Sequence, residues 1–352
     1  MNDNKTGVLT KLSFFKRIKR WFFSVLRLSN SPAIKLYRGY GNGKECHIFG
    51  HVLSFGPLPR KKYRNIFLIN TLAVLRLFMV RPVANATVQL QWEGKLMHTL
   101  TEADGFFKFE WNPVTALDPG SYEIEAWYMI NGQKMATAGT HLIIPFTNQF
   151  AFISDIDDTF LISHSSNLRK RLFVLLTENA RSRKPFEGVV NHYNLLSCAG
   201  AAEKTSNTFF YVSSSEWNLY DYIREFSALN KLPEGVYLLN QIKKFTQVFK
   251  TGQNNHKTKF MRIVRILEAF PQQVFILLGD DTQEDPNIYA SIVEHFPKQI
   301  FCVYIRMVGQ LPKDAVQLKL TTIEKAGVKY CYFKHSAEAV IHSKMIGLIA
   351  ST

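Results

Sequence analysis

The chain has 352 residues, 46% of them hydrophobic, with 28 phenylalanines and a formal net charge of +15. This excludes a disordered composition, leaves room for two folded domains, and favours anionic partners: phosphate esters, nucleic acid or acidic lipid. The four cysteines (Cys46, Cys198, Cys302, Cys331) are far apart and make no CxxC pair, which argues against a structural zinc or disulfide framework and for a reducing cytoplasm.

The first predicted element is a helix over residues 11–28, KLSFFKRIKRWFFSVLRL. Phe15, Ile18, Phe22, Val25 and Leu26 fall on one face, while Lys16, Arg17, Lys19, Arg20 and Arg27 are largely left to the other. A basic amphipathic helix of this kind serves equally as an interfacial membrane binder or as a helix docked on the protein's own body. SNSPA (29–33) reads as a linker. The apolar stretch 66–80 contains Asn70 and Arg76 and is shorter than the ~20 residues of a spanning helix, so it is expected to be a helix or insertion packed on the body. The domains expected are therefore 1–33, a basic amphipathic helix with its linker; 34–147, all-β; and 148–352, α/β.

Within 34–147, ATVQLQWEG (86–94) alternates apolar and polar positions, and Asn131-Gly132 marks a hairpin turn in 120–139. TEADGFFKFEW (101–111) resembles the T-x-x-D-G-x-F signature of carboxypeptidase-regulatory-like, transthyretin-like β-sandwiches. From about 148, continuous apolar runs alternate with amphipathic segments: FAFISD (150–155), FFYVSSS (209–215), VFILLGDD (274–281) and IFCVYIR (300–306). That pattern predicts a parallel sheet with helices on both faces. Ligands bind beyond the carboxyl ends of such strands, so Asp155, Asp157, Ser213, Asp280 and Asp285 are expected to meet in one crevice.

DIDDT (155–159) after an apolar strand is similar to the D-x-D-x-T motif of the haloacid dehalogenase superfamily. Ser213, a basic residue in 256–271 and GDDTQEDP (279–286) fit its remaining motifs. The finer pattern, YVSSSEWNLY (211–220), a Lys-led helix ending in FP, FILLGDDTQEDPNIY (275–289) and VYIR (303–306), resembles the phosphatidate phosphatase catalytic-domain family. That resemblance covers most of 150–306 and extends weakly forward to 34–53. It implies a haloacid-dehalogenase-like Rossmannoid sheet behind the β-sandwich. Two departures touch substrate preference: Glu216 where the family usually has Pro, and Asp281-Thr282 where it usually has Ser-Gly.

The side chains of Asp155 and Asp157 point the same way on an extended chain. One such carboxylate can attack phosphorus, and the other can protonate the leaving alkoxide and later activate water. The resemblance assigns Asp155 as nucleophile and Asp157 as acid/base. It implies Mg2+ held by Asp155, the backbone carbonyl of Asp157, and Asp280, with Asp285 or Asp281 beside them. Ser213 is expected to donate to a phosphoryl oxygen, with a lysine beside it. Family spacing gives Lys259, and Lys257 competes. Thr159 is expected to support the loop, and 160–208 to contain a flap and helical cap. The function implied is a Mg2+-dependent phosphatase acting on phosphatidate at an anionic lipid surface, cytoplasmic and peripheral on the inner membrane face. The alternatives are a soluble or nucleic-acid phosphomonoester as substrate, or an inactive lipid-binding scaffold. The basic residues cluster in a helix rather than in a groove with stacking aromatics, so nucleic acid is not the expected partner.

Overall fold

Long strands of alternating burial, nine to twelve residues each, dominate the first part of the chain. A computed structural model describes residues 28–29, 31–57, 76–157, 159, 185–242, 255–282, 284–309 and 313–350. The basic segment 11–28 lies almost wholly outside these residues, as does most of 66–80. What is described of the latter includes a short 3-10 turn at Arg76–Phe78.

The first sheet holds β1 (Leu28–Ser29), β2 (Ala33–Gly41), β3 (Cys46–Pro57), β4 (Arg81–Pro82), β5 (Thr87–Trp92), β6 (Lys95–Leu100), β7 (Phe106–Trp111), β8 (Gly120–Ile130) and β9 (Gln133–Ile144). Its path runs β1-β3-β2-β9-β8-β5-β6, with β4 and β7 also on β3. All pairings are antiparallel except β2 with β9. Because β6 and β7 approach each other, the sheet curls over a core that includes Ile48, Val88, Leu90, Phe107, Ala126 and Leu142. The two turns read from sequence are present. Asn131 and Gly132 both take positive φ between β8 and β9, and the Phe106 amide bonds Asp104 Oδ1 at 3.0 Å beside Gly105.

The second sheet is all parallel. It holds β10 (Phe150–Ser154), β11 (Thr208–Glu216), β12 (Gly235–Asn240), β13 (Val274–Asp280), β14 (Ile300–Arg306) and β15 (Lys329–Phe333), in the order β12-β11-β10-β13-β14-β15. Helices α1 (Val189–Ser197), α2 (Tyr220–Leu229) and α6 (Ser336–Met345) share a core with one face. Helices α3 (Asn255–Ala269), α4 (Asp285–His295) and α5 (Asp314–Lys325) cover the other. The strand order reverses beside β10, where a crevice opens at the carboxyl ends. The outer face of β2 rests on this sheet: Tyr37 stacks on Trp217 at 4.0 Å, and Lys35 and Arg38 pair with Asp221 and Glu234.

The fold expected from sequence is corrected in both parts. In place of two stacked sheets, the first part is one mixed sheet curled on itself. Either arrangement buries one face of each strand, so alternation cannot separate them. In place of a helix-rich haloacid-dehalogenase-like Rossmannoid fold, strands dominate among the described residues, with a helical share of 27%.

Candidate active site

Two strand ends and two helix starts supply the charged groups. The Asp155 amide continues the ladder beyond β10 by bonding Leu278 O at 2.8 Å, which fixes Asp155 at the mouth of the crevice. Asp280 is the last residue of β13, and Asp285 opens α4 with Pro286 directly behind it. Proline suits the first helical turn, and a carboxylate there faces the positive end of the helix dipole. Lys259 reaches in from the second turn of α3.

These four side chains are buried together. Oxygens of Asp155, Asp280 and Asp285 lie within 4.8 Å of one another. Lys259 Nζ is 2.7 Å from Asp155 Oδ1 and in direct contact with Asp285 Oδ1, which leaves Oδ2 of each aspartate to other partners. Gly279 makes the arrangement possible, since a Cβ there would stand 2.5 Å from Asp285 Oδ2. The Asp280 amide donates to that oxygen at 3.4 Å, and both Thr282 polar hydrogens are turned to Asp280 Oδ1.

Three carboxylates share one ammonium, so the cluster is short of positive charge. Burial, and then the neighbouring carboxylates, push Asp155 well above the usual carboxylate range against the opposing pull of Lys259. Burial and Asp285 raise Asp280 to about 7. Burial opposes the charge on Lys259, but Asp155 and Asp285 together outweigh it and hold the ammonium above its ordinary pKa. Oxygen donors with uncompensated charge fit a hard divalent cation, and Asp155, Asp280 and Asp285 are the residues that could hold one.

Asp157 stands apart from that triad. Its Oδ2 accepts hydrogen bonds from Ser215 Oγ at 2.6 Å and Ser213 Oγ at 3.1 Å, while Ser213 Oγ accepts the Ser215 amide at 2.9 Å. The Ser213 hydroxyl therefore faces Asp157 in this structure. Arg262, one turn after Lys259 on α3, holds the Ser213 carbonyl at 3.2 Å.

Of the residues singled out from sequence, Asp155, Asp280, Asp285 and Lys259 come together, with Asp157 and Ser213 alongside. Asp281 turns away, its carboxylate held by Tyr332 Oη at 2.8 Å, the Val308 amide at 3.1 Å and Lys313 at 3.4 Å. The Lys257 side chain, Asp158, His164 and the 160–184 segment lie outside the described residues. Sequence reasoning passed over Ser215, although its place two residues after Ser213 on a strand was the available signal. It also gave Thr159 only a loop role. The Thr159 hydroxyl lies 3.5 Å from Asp155 Oδ2 and 3.3 Å from Asp280 Oδ2.

Residues 150–307 match the family described as "Phosphatidate phosphatase APP1, catalytic domain". The match covers a little under half of the chain, on the motifs that carried the resemblance. The chain is 29% identical over 162 residues to phosphatidate phosphatase APP1 of Saccharomyces cerevisiae, covering 46% of this chain and 26% of that one. It is 23% identical over 161 residues to an uncharacterized protein of Schizosaccharomyces pombe, covering 45% and 25%. The match spans about a quarter of the length of these relatives. Among solved structures, a carbohydrate acetylesterase from Xanthomonas citri aligns over 88% of this chain and 72% of its own at 8% identity and a TM-score of 0.32. A likeness that slight carries no argument.

Proposed function

We propose that the segment matching this catalytic-domain family makes the chain a divalent-metal-dependent phosphatase acting on a phosphomonoester, with phosphatidate at a membrane surface as the substrate. The observation that carries the reading is the pairing at the mouth of the parallel sheet: a cation-seeking triad on Asp155 beside a hydroxyl-held carboxylate on Asp157. In the first step, an Asp155 oxygen attacks phosphorus as the P–O ester bond breaks, giving an aspartyl-phosphate. Asp157, as the acid, gives its proton to the departing alkoxide and so releases diacylglycerol. Asp157 then takes a proton from the water that attacks phosphorus, which frees Asp155 and inorganic phosphate. Lys259 holds Asp155 in place and balances part of the charge. Mg2+ bound by Asp155, Asp280 and Asp285 would supply charge neutralisation of the phosphoryl oxygens facing the nucleophile.

The membrane side of the reading is supported by the +15 net charge and by the basic pattern of 11–28, which together suit an anionic lipid surface on a cytoplasmic face. No helix among the described residues is long and apolar enough to cross a membrane. The division proposed is 1–33 as the surface-binding segment, 34–147 as the β part and 148–352 as the catalytic part. The test is phosphate release from phosphatidate vesicles and from a soluble phosphomonoester, with protein stripped of metal and then given Mg2+. Release from vesicles that depends on Mg2+ supports the reading. Release from the soluble ester alone moves the substrate, and release from neither overturns the enzymatic assignment.

A further inference from the structure

Arg306 ends β14 and is buried, yet no carboxylate among the described residues lies within ion-pair distance of its guanidinium. Burial lowers its pKa to about 10, so the group remains a cation at neutral pH. An unpaired buried cation is costly, so the groups that replace a counter-ion matter. Nε donates to the Thr159 carbonyl at 2.9 Å, Nη2 to Ser336 Oγ at 2.9 Å and Nη1 to the Lys334 carbonyl at 3.4 Å. The rings of Phe186 and Phe333 flank it at 4.6 and 4.9 Å, a favourable setting for a cation. Ser336 Oγ in turn donates to the Glu187 carbonyl at 2.8 Å. The Arg306 carbonyl meanwhile accepts the Asp281 amide at 3.0 Å. One residue therefore holds the turn after β10 with its side chain and the turn after β13 with its backbone.

Those are the two turns that carry Asp155 and Asp280. Between them stands Thr159, whose single hydroxyl proton serves one carboxylate at a time while keeping both oxygens at contact distance. We propose that Arg306 is a positioning residue: by gripping the Thr159 carbonyl it holds the Thr159 hydroxyl against Asp155 and Asp280 and so sets the spacing of the carboxylates that would take the metal. The inference rests on the metal-binding reading of the triad but not on the identity of the substrate. A rigid fork of donors suits this task where a lysine would not, because three acceptors in fixed directions are met at once.

The test is Mg2+ binding to the metal-stripped full chain by calorimetry, with phosphate release measured separately. Arg306→Met and Thr159→Val should each weaken Mg2+ binding about tenfold, the scale of losing a partner that orients metal ligands. The double variant should be no weaker than the worse single, because both changes break one link. Arg306→Lys should fall between wild type and Arg306→Met, and kcat should fall with KM unchanged. If Arg306→Met lowers the melting temperature yet leaves Mg2+ affinity intact, or if the two effects multiply in full, the proposal is overturned. Should Arg306→Met fail to fold, Ser336→Ala removes the acceptor of Nη2 and keeps the core. It should weaken Mg2+ about threefold, and an unchanged affinity would equally overturn the proposal. A wild type that binds Mg2+ and releases no phosphate would sink the proposed reaction while leaving the role of Arg306 standing.

Discussion

Asp155 and Asp157 stand two positions apart on one turn, and their surroundings differ in kind. The Asp155 side is ionic and assembled from a distance: β10, α3, β13 and α4 each bring one charged group. The Asp157 side includes two hydroxyls from one strand, those of Ser213 and Ser215 at the end of β11. The ionic side holds one ammonium against three carboxylates and could take a further cation. A nucleophile and an acid/base have to be different at the same pH, and in the proposed reaction the difference would come from the neighbours each carboxylate has.

The comparison breaks hardest at Asp155. Asp155→Asn should reduce phosphate release by roughly three orders of magnitude or more, since an amide cannot carry the phosphoryl group. Stability should move the other way. A carboxyl whose pKa is raised by folding favours the folded state at low pH, and that contribution is lost as pH rises towards the folded value. At pH 7.5 without metal the variant should melt no lower than wild type, which differential scanning calorimetry would check. A clearly lower melting temperature would mean that the Lys259 contact outweighs the repulsion.

Metal removal should come next in size, because it strips the ionic side alone. EDTA should stop turnover, and Mg2+ should restore it better than Ca2+, whose larger and looser shell misplaces nucleophile and phosphate. The same cluster predicts a pH trend. Asp280, raised to about 7 against a carboxylate's ordinary value near 4, loses its stabilising contribution between those two values as pH rises. In EDTA, Asp280→Asn should therefore gain stability relative to wild type from pH 5 to pH 7.5. Saturating Mg2+ should abolish that gain, and an equal gain with Mg2+ present would speak against Asp280 as a ligand.

On the other side, Asp157→Asn should slow turnover by about 10²–10⁴-fold, the usual share of a positioned acid/base. The loss should be smallest for esters with acidic leaving alcohols, which need no proton, as a series of aryl phosphates would show. Mg2+ affinity should hardly move, because the Asp157 carboxylate lies outside the triad.

How much of this was legible follows from the same contrast. The apolar runs at 150–155, 209–215, 274–281 and 300–306 became β10, β11, β13 and β14, as short apolar runs rich in β-branched and aromatic residues suit a sheet buried on both faces. Asp155, Asp280 and Asp285 stood out because acidic groups at such strand and helix ends are conspicuous in sequence, whereas Lys259 came only from the family spacing, with Lys257 beside it as competitor. The single curled sheet was not readable, since closure depends on which strand β3 pairs with on its second edge. Nor was Asp281, which sits beside Asp280 in the motif but belongs to Tyr332 and Lys313 across the rim. Arg306 carries no acidic partner in the sequence pattern; its acceptors are mainly backbone carbonyls, which sequence does not display.

The smallest effects should separate the two serines. Ser215 Oγ donates to Asp157 Oδ2 at 2.6 Å, whereas Ser213 Oγ is at 3.1 Å from the same oxygen and also accepts the Ser215 amide. A hydrogen bond to a charged group contributes about 1.5–3 kcal/mol, which corresponds to roughly 10–100-fold in rate if it is lost only in the transition state. Ser215→Ala removes the shorter bond and leaves the Ser215 amide bonded to Ser213 Oγ, so it should weaken the support of the Asp157 carboxylate. The expected signature is a rate loss towards the lower end of that range, concentrated in esters with poor leaving groups, with KM little changed. Ser213→Ala also deprives the Ser215 amide of its acceptor and stands next to the expected phosphoryl position, so it should raise KM as well as lower kcat. Steady-state kinetics across one leaving-group series would read both. Should Ser215→Ala lose rate equally across the leaving-group series, the hydroxyls would not be serving an acid/base on Asp157, and the division of labour between the two aspartates would have to be redrawn.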